Sequence, residues 1–525
     1  VLNLADGTAP DDVLQALQYL PAVAPSLLPE LAARRGLQLR TERIQAQPEP
    51  AQLFAALFGG STNAVWLDSS LDPAGLAPEA AERSRFSILA DDGGRFGQSV
   101  QHSSGRTRVS TGQATVTTDG PFFRWLDGVW GRRALRAPEA YPCEFTLGWL
   151  GYLGYELKRE TGGNDVTAAT PDACLIFAGR AVVLDHAEGT AWLLTLDAPD
   201  AADWLGAART AVTAAASAPG AVPAAPAQRV SAPQPAAPRF AARDTEAGYK
   251  AKVTEAQREI AEGNTYEVCL TTVLTAAPPA GPQGMDPWPA YLDLRRRNPA
   301  PFASFLRFGE LAVASTSPER FLQIAADGRM RAEPIKGTRR RDPEPGTDAA
   351  LREELESSAK DRAENIMIVD LLRNDLSHFA VPGSVAVSRL CAIESYATVH
   401  QMVSTIDARL RPGMPRAEAV AACFPAGSMT GAPKVSTMAI LDRLEAAPRG
   451  VYSGAIGYFS LNGAADLAVA IRTLVVRALG EGAAELSLGV GGAVTADSTP
   501  QEEYEEIRTK AFGVLSALGA EFPQG

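Results

Sequence analysis

Cysteine is scarce: Cys143, Cys174, Cys269, Cys391 and Cys423 are the whole complement of a 525-residue chain, odd in number and without a C-x-x-C pair. That speaks against a disulfide framework or a cysteine zinc site and fits a reducing compartment. No run of 18 or more apolar residues is present, so no membrane span is expected. No cationic start followed by an apolar core marks a leader either, and the expectation is a cytoplasmic protein. Positive charge is in deficit: 49 Lys and Arg against 61 Asp and Glu give a formal net charge of -12 and a pI near 5.1. Such a balance argues against nucleic-acid or anionic-membrane partners. The short basic run Arg339 to Arg341 reads as a solvated loop and does not overturn that balance, and no internal repeat is evident.

At this length two large domains or three smaller ones are expected, with substantial cores. Residues 207–242 are mostly Ala, Pro, Ser, Gln and Val; they bury too little to fold and read as a linker. It separates an amino-terminal domain, 51–206, from a carboxyl-terminal one, 243–525. Residues 1–50 form an extension with no assignable chemistry, helical in pattern from Asp11 to Arg35. Strand candidates in the first domain are NAVWLDSS from Asn63, SRFSILADD from Ser84, LIFAGRAVVLDH from Leu175 and TAWLLTLDA from Thr190, the last two joined as a hairpin about Ala187-Glu188-Gly189. GWLGYLGYELK from Gly148 reads as a bend between strands whose aromatics pack at a domain junction. Beyond the linker, a helix starts near Asp244 or Thr245 and stops at Gly263-Asn264. The strand candidates YEVCLTTVLTA, FASFLRF, LAVASTS and FLQIA follow.

The stretch RAEPIKGTRRR, Arg331 to Arg341, sets Lys336 between Pro334-Ile335 and Gly337, where a strand ends and a tight loop begins. A side chain there can project into a cavity, although a lone loop lysine is ordinarily solvated. In the helix that includes Ala363 to Leu376, Glu364 shares a face with Met367, Ile368 and Leu371, while Ile366 and Val369 make the other side apolar. A helix apolar nearly all round is buried, and an ionised carboxylate inside it must be paired or bound to a cation. A second helix opens at Ser498-Thr499-Pro500-Gln501-Glu502, a capping box with Thr499 as N-cap and Glu502 at N3. Glu503, Glu506 and Lys510 then share one face; on spacing alone, an acidic first turn favoured by the helix dipole explains them without a site.

Ser317-Pro318-Glu319-Arg320-Phe321, AENIMIVDLLRNDL from Ala363, FPAGSMTGAPK from Phe424, GAIGYFS from Gly454, AIRT from Ala470 and EEYEEIRTKA from Glu502 occur in a fixed order. With PIKGT they resemble the chorismate-utilising enzymes, the group of anthranilate synthase component I, aminodeoxychorismate synthase component I and the isochorismate and salicylate synthases. The resemblance covers the chain from about residue 245 onward, with weaker echoes before it. It implies an α/β (α+β) fold of the anthranilate synthase component I kind, a two-layer antiparallel β-sandwich flanked by helices. Lys336, where anthranilate and isochorismate-type members carry alanine, and Ser428-Met429-Thr430 point to the aminodeoxychorismate branch. That branch converts chorismate and ammonia to 4-amino-4-deoxychorismate for 4-aminobenzoate and folate synthesis. The alternatives are anthranilate synthase component I chemistry and a noncatalytic chorismate-binding subunit.

By this resemblance Glu364, Glu503 and Glu506 hold Mg2+, which grips the ring carboxylate of chorismate; magnesium suits a few carboxylates and keeps its waters. Arg472, Lys510, Tyr458, the Thr338 hydroxyl beside Gly337, and the amides of a glycine turn at Gly489, Gly491 and Gly492 receive the dianion, successive N–H groups being a ready anion cradle. His400 lies beside the ring. Glu319 is the general acid for the departing C4 hydroxyl, which demands a raised pKa; an ion pair with Arg320 would lower it instead. Lys336 is the nucleophile: its neutral amine adds at C2 as the C4 hydroxyl leaves, and ammonia then attacks C4 and expels the lysine. A nearby cation, magnesium or Arg472, would favour the neutral amine. Isochorismate-type members use a water-activating lysine where this chain has Thr265-Tyr266-Glu267-Val268, so Glu267 argues against water chemistry. Leu67-Asp68-Ser69 and Ser84-Arg85-Phe86-Ser87 are similar to the family's tryptophan pocket, although strand packing explains them equally. None of the five cysteines is flanked by glycine as a glutaminase nucleophile requires, and no such domain is expected within residues 1–50. Ammonia is therefore expected from a separate glutamine amidotransferase subunit.

Overall fold

The computed structural model describes residues 1–20, 37–71, 76–130, 135–217, 237–277, 286–396, 398–478 and 484–524. Among them, two antiparallel sheets lie face to face. The first, of thirteen strands, runs from Leu2–Leu4 through Gln98–Ser103, Ala173–Ala178, Gly148–Leu153, Ala455–Ser460 and Arg320–Ile324 to Ile335–Arg340 at its far edge. The second, of twelve, runs from Ala241–Ala242 through Glu267–Ala276, Glu485–Val494, Leu311–Ser317, Phe302–Phe308 and Asn63–Asp68 to Leu39–Ile44.

Side-chain alternation builds two cores from these strands. In Asn63–Asp68, Val65 joins the core between the sheets, while Ala64 and Trp66 point to the opposite side. Between the sheets, Tyr152 of the first packs against Phe308 of the second, with Ile456 of the first and Ile88, Leu306 and Val313 of the second in the same core. The outer face of the second sheet is covered by the helices Pro50–Phe58, Ala201–Ser217, Glu246–Ala261, Pro287–Arg297 and Pro500–Ala517, which contribute Phe54, Trp204, Tyr249, Tyr291 and Tyr504. Leu311–Ser317 is buried at every position because both of its faces are covered. This is the two-layer antiparallel sandwich flanked by helices that the resemblance implies.

Both sheets run across the expected domain boundary. Asn63–Asp68 pairs with Phe302–Phe308, and Gly148–Leu153 with Ala455–Ser460, so segments from either side of residues 207–242 share each sheet. GWLGYLGYELK is a central strand, Gly148–Leu153, rather than a bend. LIFAGRAVVLDH is two strands in different sheets, Ala173–Ala178 and Arg180–Asp185, with the chain crossing over at Gly179. The hairpin about residues 187–189 is present, with Asp185 opposite Thr190. Of the expected linker, residues 207–217 are helical, because an alanine-rich stretch suits a helix with Ala208, Val212 and Ala215 against the sheet; residues 218–236 lie outside the described residues. The helical pattern expected from Asp11 to Arg35 gives a helix only over Pro10–Leu17, and residues 21–36 are likewise outside. Leu2–Leu4 and Leu39–Ile44 add strands to the two sheets.

Phe305 sits where the second sheet meets its helices, 1% exposed, with Phe54, Trp288 and Tyr291 around its ring. Phe305→Ala should cost about 3–5 kcal/mol. A thermal unfolding midpoint equal to the wild type's would contradict this placement.

Candidate active site

Lys336 lies on the edge strand Ile335–Arg340, whose register against Val399–Arg409 slips between Ile335 and Thr338. It thus rises from a bulge within a strand, not from a strand end, and bulges re-aim side chains. Gly337 makes the bulge possible: its φ is +79°, and a Cβ there would come within 2.8 Å of the Asp361 carboxylate and of Leu355 Cδ1. The lysine is buried, and its Nζ donates to Glu267 Oε1 at 2.6 Å. Glu267, 0% exposed, opens the strand Glu267–Ala276 of the other sheet, so one ion pair joins the two layers. Burial pushes the amine toward its neutral form, but the Glu267 and Glu364 carboxylates outweigh it and hold the proton on. The expected neighbouring cation is replaced by carboxylates: the groups that shift Lys336 are Glu267, Glu364 and Cys269.

Glu319 precedes the strand Arg320–Ile324 and accepts a hydrogen bond from Ser428 Oγ at 2.7 Å. Burial pushes its carboxyl up to about 7, against the pull of Ser428, Lys336 and Lys510. It is not paired with Arg320, which turns instead to Asp466 at 3.0 Å and to Glu333. Glu319 therefore holds a proton near neutrality, as a general acid must.

The helix Ala359–Ser377 buries Glu364, Asn365, Ile368, Val369 and Leu372 along one side. It is amphipathic, not apolar all round: Val369 lies on the buried side and Ile366 is 45% exposed. Burial pushes the Glu364 carboxyl up to about 7; Lys336 and Lys360 pull against this, while Glu267 and Glu506 add to it. In the helix Pro500–Ala517, Thr499 Oγ1 accepts from the Glu502 amide, the expected cap. Glu503 is 0% exposed; its Oε1 accepts from Ser498 Oγ at 2.6 Å, while its buried Oε2 has no hydrogen-bond partner among the described residues. Burial raises its pKa, with Glu506 adding to the effect. Glu506 pairs with Lys510 at 2.6 Å, and this pair outweighs burial and holds its carboxyl low. Lys510 also donates to the Gly491 carbonyl at 2.8 Å. Arg472, at φ +52°, donates to the Lys510 carbonyl at 3.2 Å and has no carboxylate partner among the described residues.

No three His, Cys, Asp or Glu side chains among the described residues stand close enough to hold a metal ion as they are placed. The donor chemistry nonetheless suits a hard cation. Glu503 Oε2 is buried and unbonded, and a Cβ on Gly492 would lie 2.9 Å from it and 3.6 Å from Glu506 Oε1, so the glycine keeps that space open.

Other expected ligands sit differently. Gly489, Gly491 and Gly492 form no turn; they lie inside the strand Glu485–Val494, opposite Val273, Thr271 and Leu270. Close approach explains them: a Cβ on Gly489 would meet the Tyr452 ring at 2.2 Å, and one on Gly491 the Leu270 carbonyl at 2.6 Å. Tyr458 faces a different space, a cavity of about 560 Å3 between the sheets, because its strand places it opposite Asp466 with its ring against Phe145. That cavity is also lined by Leu67, Asp68, Arg85 and Phe86. His400 is buried with both ring nitrogens engaged, Nδ1 with Ser395 Oγ at 2.7 Å and Nε2 with Asp348 at 3.1 Å. Thr338 is exposed on its strand. The basic run is not a solvated loop: Arg339 pairs with Glu354 and Asp361, and Arg341 with Asp348. Glu267, Ser428 and Lys360 were not foreseen as site residues. Two signals for Glu267 were available: its place where isochorismate-type members carry a lysine, and a carboxylate inside the apolar run EVCLTTVL.

Lys336, Glu319, Glu364, Glu506, Lys510 and Arg472 are linked by mutual electrostatic effects, a buried cluster of titratable and charged groups of the kind enzyme sites use. Residues 87–516 match the chorismate binding enzyme family, and the chain belongs to that family. It is 44% identical over 515 residues to aminodeoxychorismate synthase of Streptomyces griseus, covering 96% of this chain and 67% of that one. It is 36% identical over 386 residues to aminodeoxychorismate synthase component 1 of Klebsiella aerogenes, covering 73% of this chain and 79% of the other. The chain thus spans about two thirds of the Streptomyces protein's length. The fold matches the crystal structure of anthranilate synthase component I from Streptococcus pneumoniae with a TM-score of 0.66 at 26% identity, over 82% of this chain and 92% of that one.

Because the Ser428 hydroxyl stabilises the charged form of Glu319, Ser428→Ala should raise the pH at which that carboxyl ionises above about 7. Infrared difference spectra of the carboxyl band, with Glu319→Gln as the blank, read this directly. A band disappearing at lower pH in Ser428→Ala would contradict the assignment.

Proposed function

We propose that this chain aminates chorismate at C4, yielding 4-amino-4-deoxychorismate, with ammonia supplied by a separate glutamine amidotransferase subunit. The observation that carries the reading is a buried lysine, Lys336, within electrostatic reach of Glu319, a carboxyl held protonated to about pH 7. A lysine nucleophile and a carboxylic acid for the leaving hydroxyl are the two groups that such a displacement needs. The name of the Streptomyces griseus relative, aminodeoxychorismate synthase, agrees with this chemistry.

In this reading Arg472 and Lys510 receive the substrate carboxylates, and Glu319 gives its proton to the departing C4 oxygen, which leaves as water. The Lys336 amine forms a bond to C2 as the ring diene shifts and the C4–O bond breaks. Ammonia then bonds to C4, the diene shifts back, and the lysine leaves. Glu364, Glu503 and Glu506 would hold Mg2+, which when bound supplies positive charge for the ring carboxylate. The cavity between the sheets, with Asp68 and Arg85 beside Phe86 and Phe302, would take tryptophan, whose charged and aromatic parts suit that mixed lining.

Incubation with chorismate, a magnesium salt and ammonium, followed by mass-resolved chromatography, should give 4-amino-4-deoxychorismate. Lys336→Ala should lower its formation by about 10^3-fold or more while leaving chorismate binding, read by calorimetry, within a few-fold of wild type. Anthranilate and pyruvate as products would move the chain to the anthranilate branch.

A further inference from the structure

We propose that Glu267 is the base of this site: it takes the proton from Lys336 before the amine attacks and returns it when the amine is released. The inference rests on the amination reading above. Three observations carry it. Glu267 Oε1 accepts directly from Lys336 Nζ at 2.6 Å. Its other oxygen, Oε2, is buried and unbonded among the described residues, although a buried carboxylate oxygen ordinarily finds a donor. And among the described residues the lysine donates to no other acceptor. The remaining charged or titratable groups that act on Lys336 or are acted on by it are Cys269 on the same strand, Glu364 on the helix Ala359–Ser377, Glu319, and Glu506 on the carboxyl-terminal helix. Glu319 is bonded to Ser428 and Glu506 to Lys510, and no hydrogen bond joins Glu364 to the lysine among the described residues.

The need for a base follows from the same geometry. A lysine paired with a buried carboxylate is held as an ammonium, which has no lone pair and cannot attack carbon. Water is largely excluded, since Glu267 is 0% exposed and Lys336 9%. The proton must therefore move to a group already touching the nitrogen. One proton passes from Nζ to the Glu267 carboxylate, leaving a neutral amine beside a neutral carboxylic acid. The amine lone pair then forms the bond to C2 while Glu319 protonates the leaving oxygen, and the nitrogen becomes a secondary ammonium. When ammonia bonds to C4, the C2–N bond breaks with its electrons going to nitrogen, and Lys336 leaves as a neutral amine that recovers its proton from Glu267. The product departs with an ammonium at C4, and Glu319 is reprotonated from solvent. Glu267 thus ends each cycle as it began, with no oxidant or further reactant required. Within the pair the transfer is internal, so it adds no pH dependence of its own.

The test is the pH profile of ammonia-dependent turnover for wild type, Glu267→Gln and Glu267→Asp, with Lys336→Ala alongside. Glutamine keeps the shape of glutamate but cannot accept the proton, which must then go to solvent. The expected result is a loss of about 10^2-fold or more near pH 6.5 and a rate that climbs about tenfold per pH unit as the lysine sheds its proton. Glu267→Asp, still a carboxylate, should turn over more slowly with the wild-type profile. A Glu267→Gln rate lowered by the same factor at every pH would reduce Glu267 to holding the lysine in place and overturn the proposal, as would a Glu267→Asp profile that climbs like that of glutamine. If instead wild type makes no C4-aminated product, or Lys336→Ala makes it at the wild-type rate, the amination reading fails first and takes this inference with it.

Discussion

The structure turns on one buried ion pair, Lys336 with Glu267. Neither charge could be there alone: removing one partner of a buried pair strands the other, at a cost of about 3–5 kcal/mol. The pair also has an architectural effect, since the lysine belongs to the edge strand of one sheet and the glutamate to the other sheet. Around it the site carries more acid than base. Glu319 and Glu364 answer this by holding protons to about pH 7, and Glu506 by leaning on Lys510. A basin organised in this way stores protons at defined atoms, which is what a displacement of hydroxyl by amine requires.

The sandwich supplies the rigidity that this arrangement needs. The elements that carry Glu267, Glu364, Glu503 and Glu506 are anchored in a core, while the edge strand of Lys336 is held by its pairing with Val399–Arg409. Glu267–Ala276 and Glu485–Val494 run side by side over nine paired residues. The helix Pro500–Ala517 packs Tyr504, Ile507 and Ala511 onto the second sheet, so that Glu503 and Glu506 face the strand glycines. Small residues at 489, 491 and 492 let helix, Tyr452 ring and strand approach closely. The larger cavity, with Tyr458, Asp68 and Arg85, lies between the two sheets. Arg320 and Glu333 connect the two regions, since Arg320 lines the cavity and Glu333 stands three residues before Lys336.

Much of this was legible in the sequence because it depends on local pattern. Thr499 capping Glu502, the strands LAVASTS and FASFLRF, and a buried Glu364 all follow from spacing and composition within one element. What failed depends on position in three dimensions. Glycines at 489, 491 and 492 suit a turn and a closely packed strand equally, and only the neighbours they meet in three dimensions, the Tyr452 ring, the Leu270 carbonyl and Glu503, decide between them. Alanine-rich residues 207–217 have the composition of both a linker and a helix, and the sheet beneath Val212 selects the helix. The resemblance set Glu267 where isochorismate-type members carry a lysine, but its pairing with Lys336 was not legible, because that partner is 69 residues away and on another sheet. The bulge that turns Lys336 inward likewise exists only through pairing with Val399–Arg409.

The central claim is that the Lys336 nitrogen itself bonds to substrate carbon. Incubating the protein with chorismate and magnesium in the strict absence of ammonia, quenching, and mapping peptides by mass spectrometry tests it most directly. The account predicts a mass gain equal to chorismate less one water, located on Lys336 and discharged when ammonium is added before the quench. An unmodified Lys336 in protein that goes on to make the C4-amino product at full rate would contradict it.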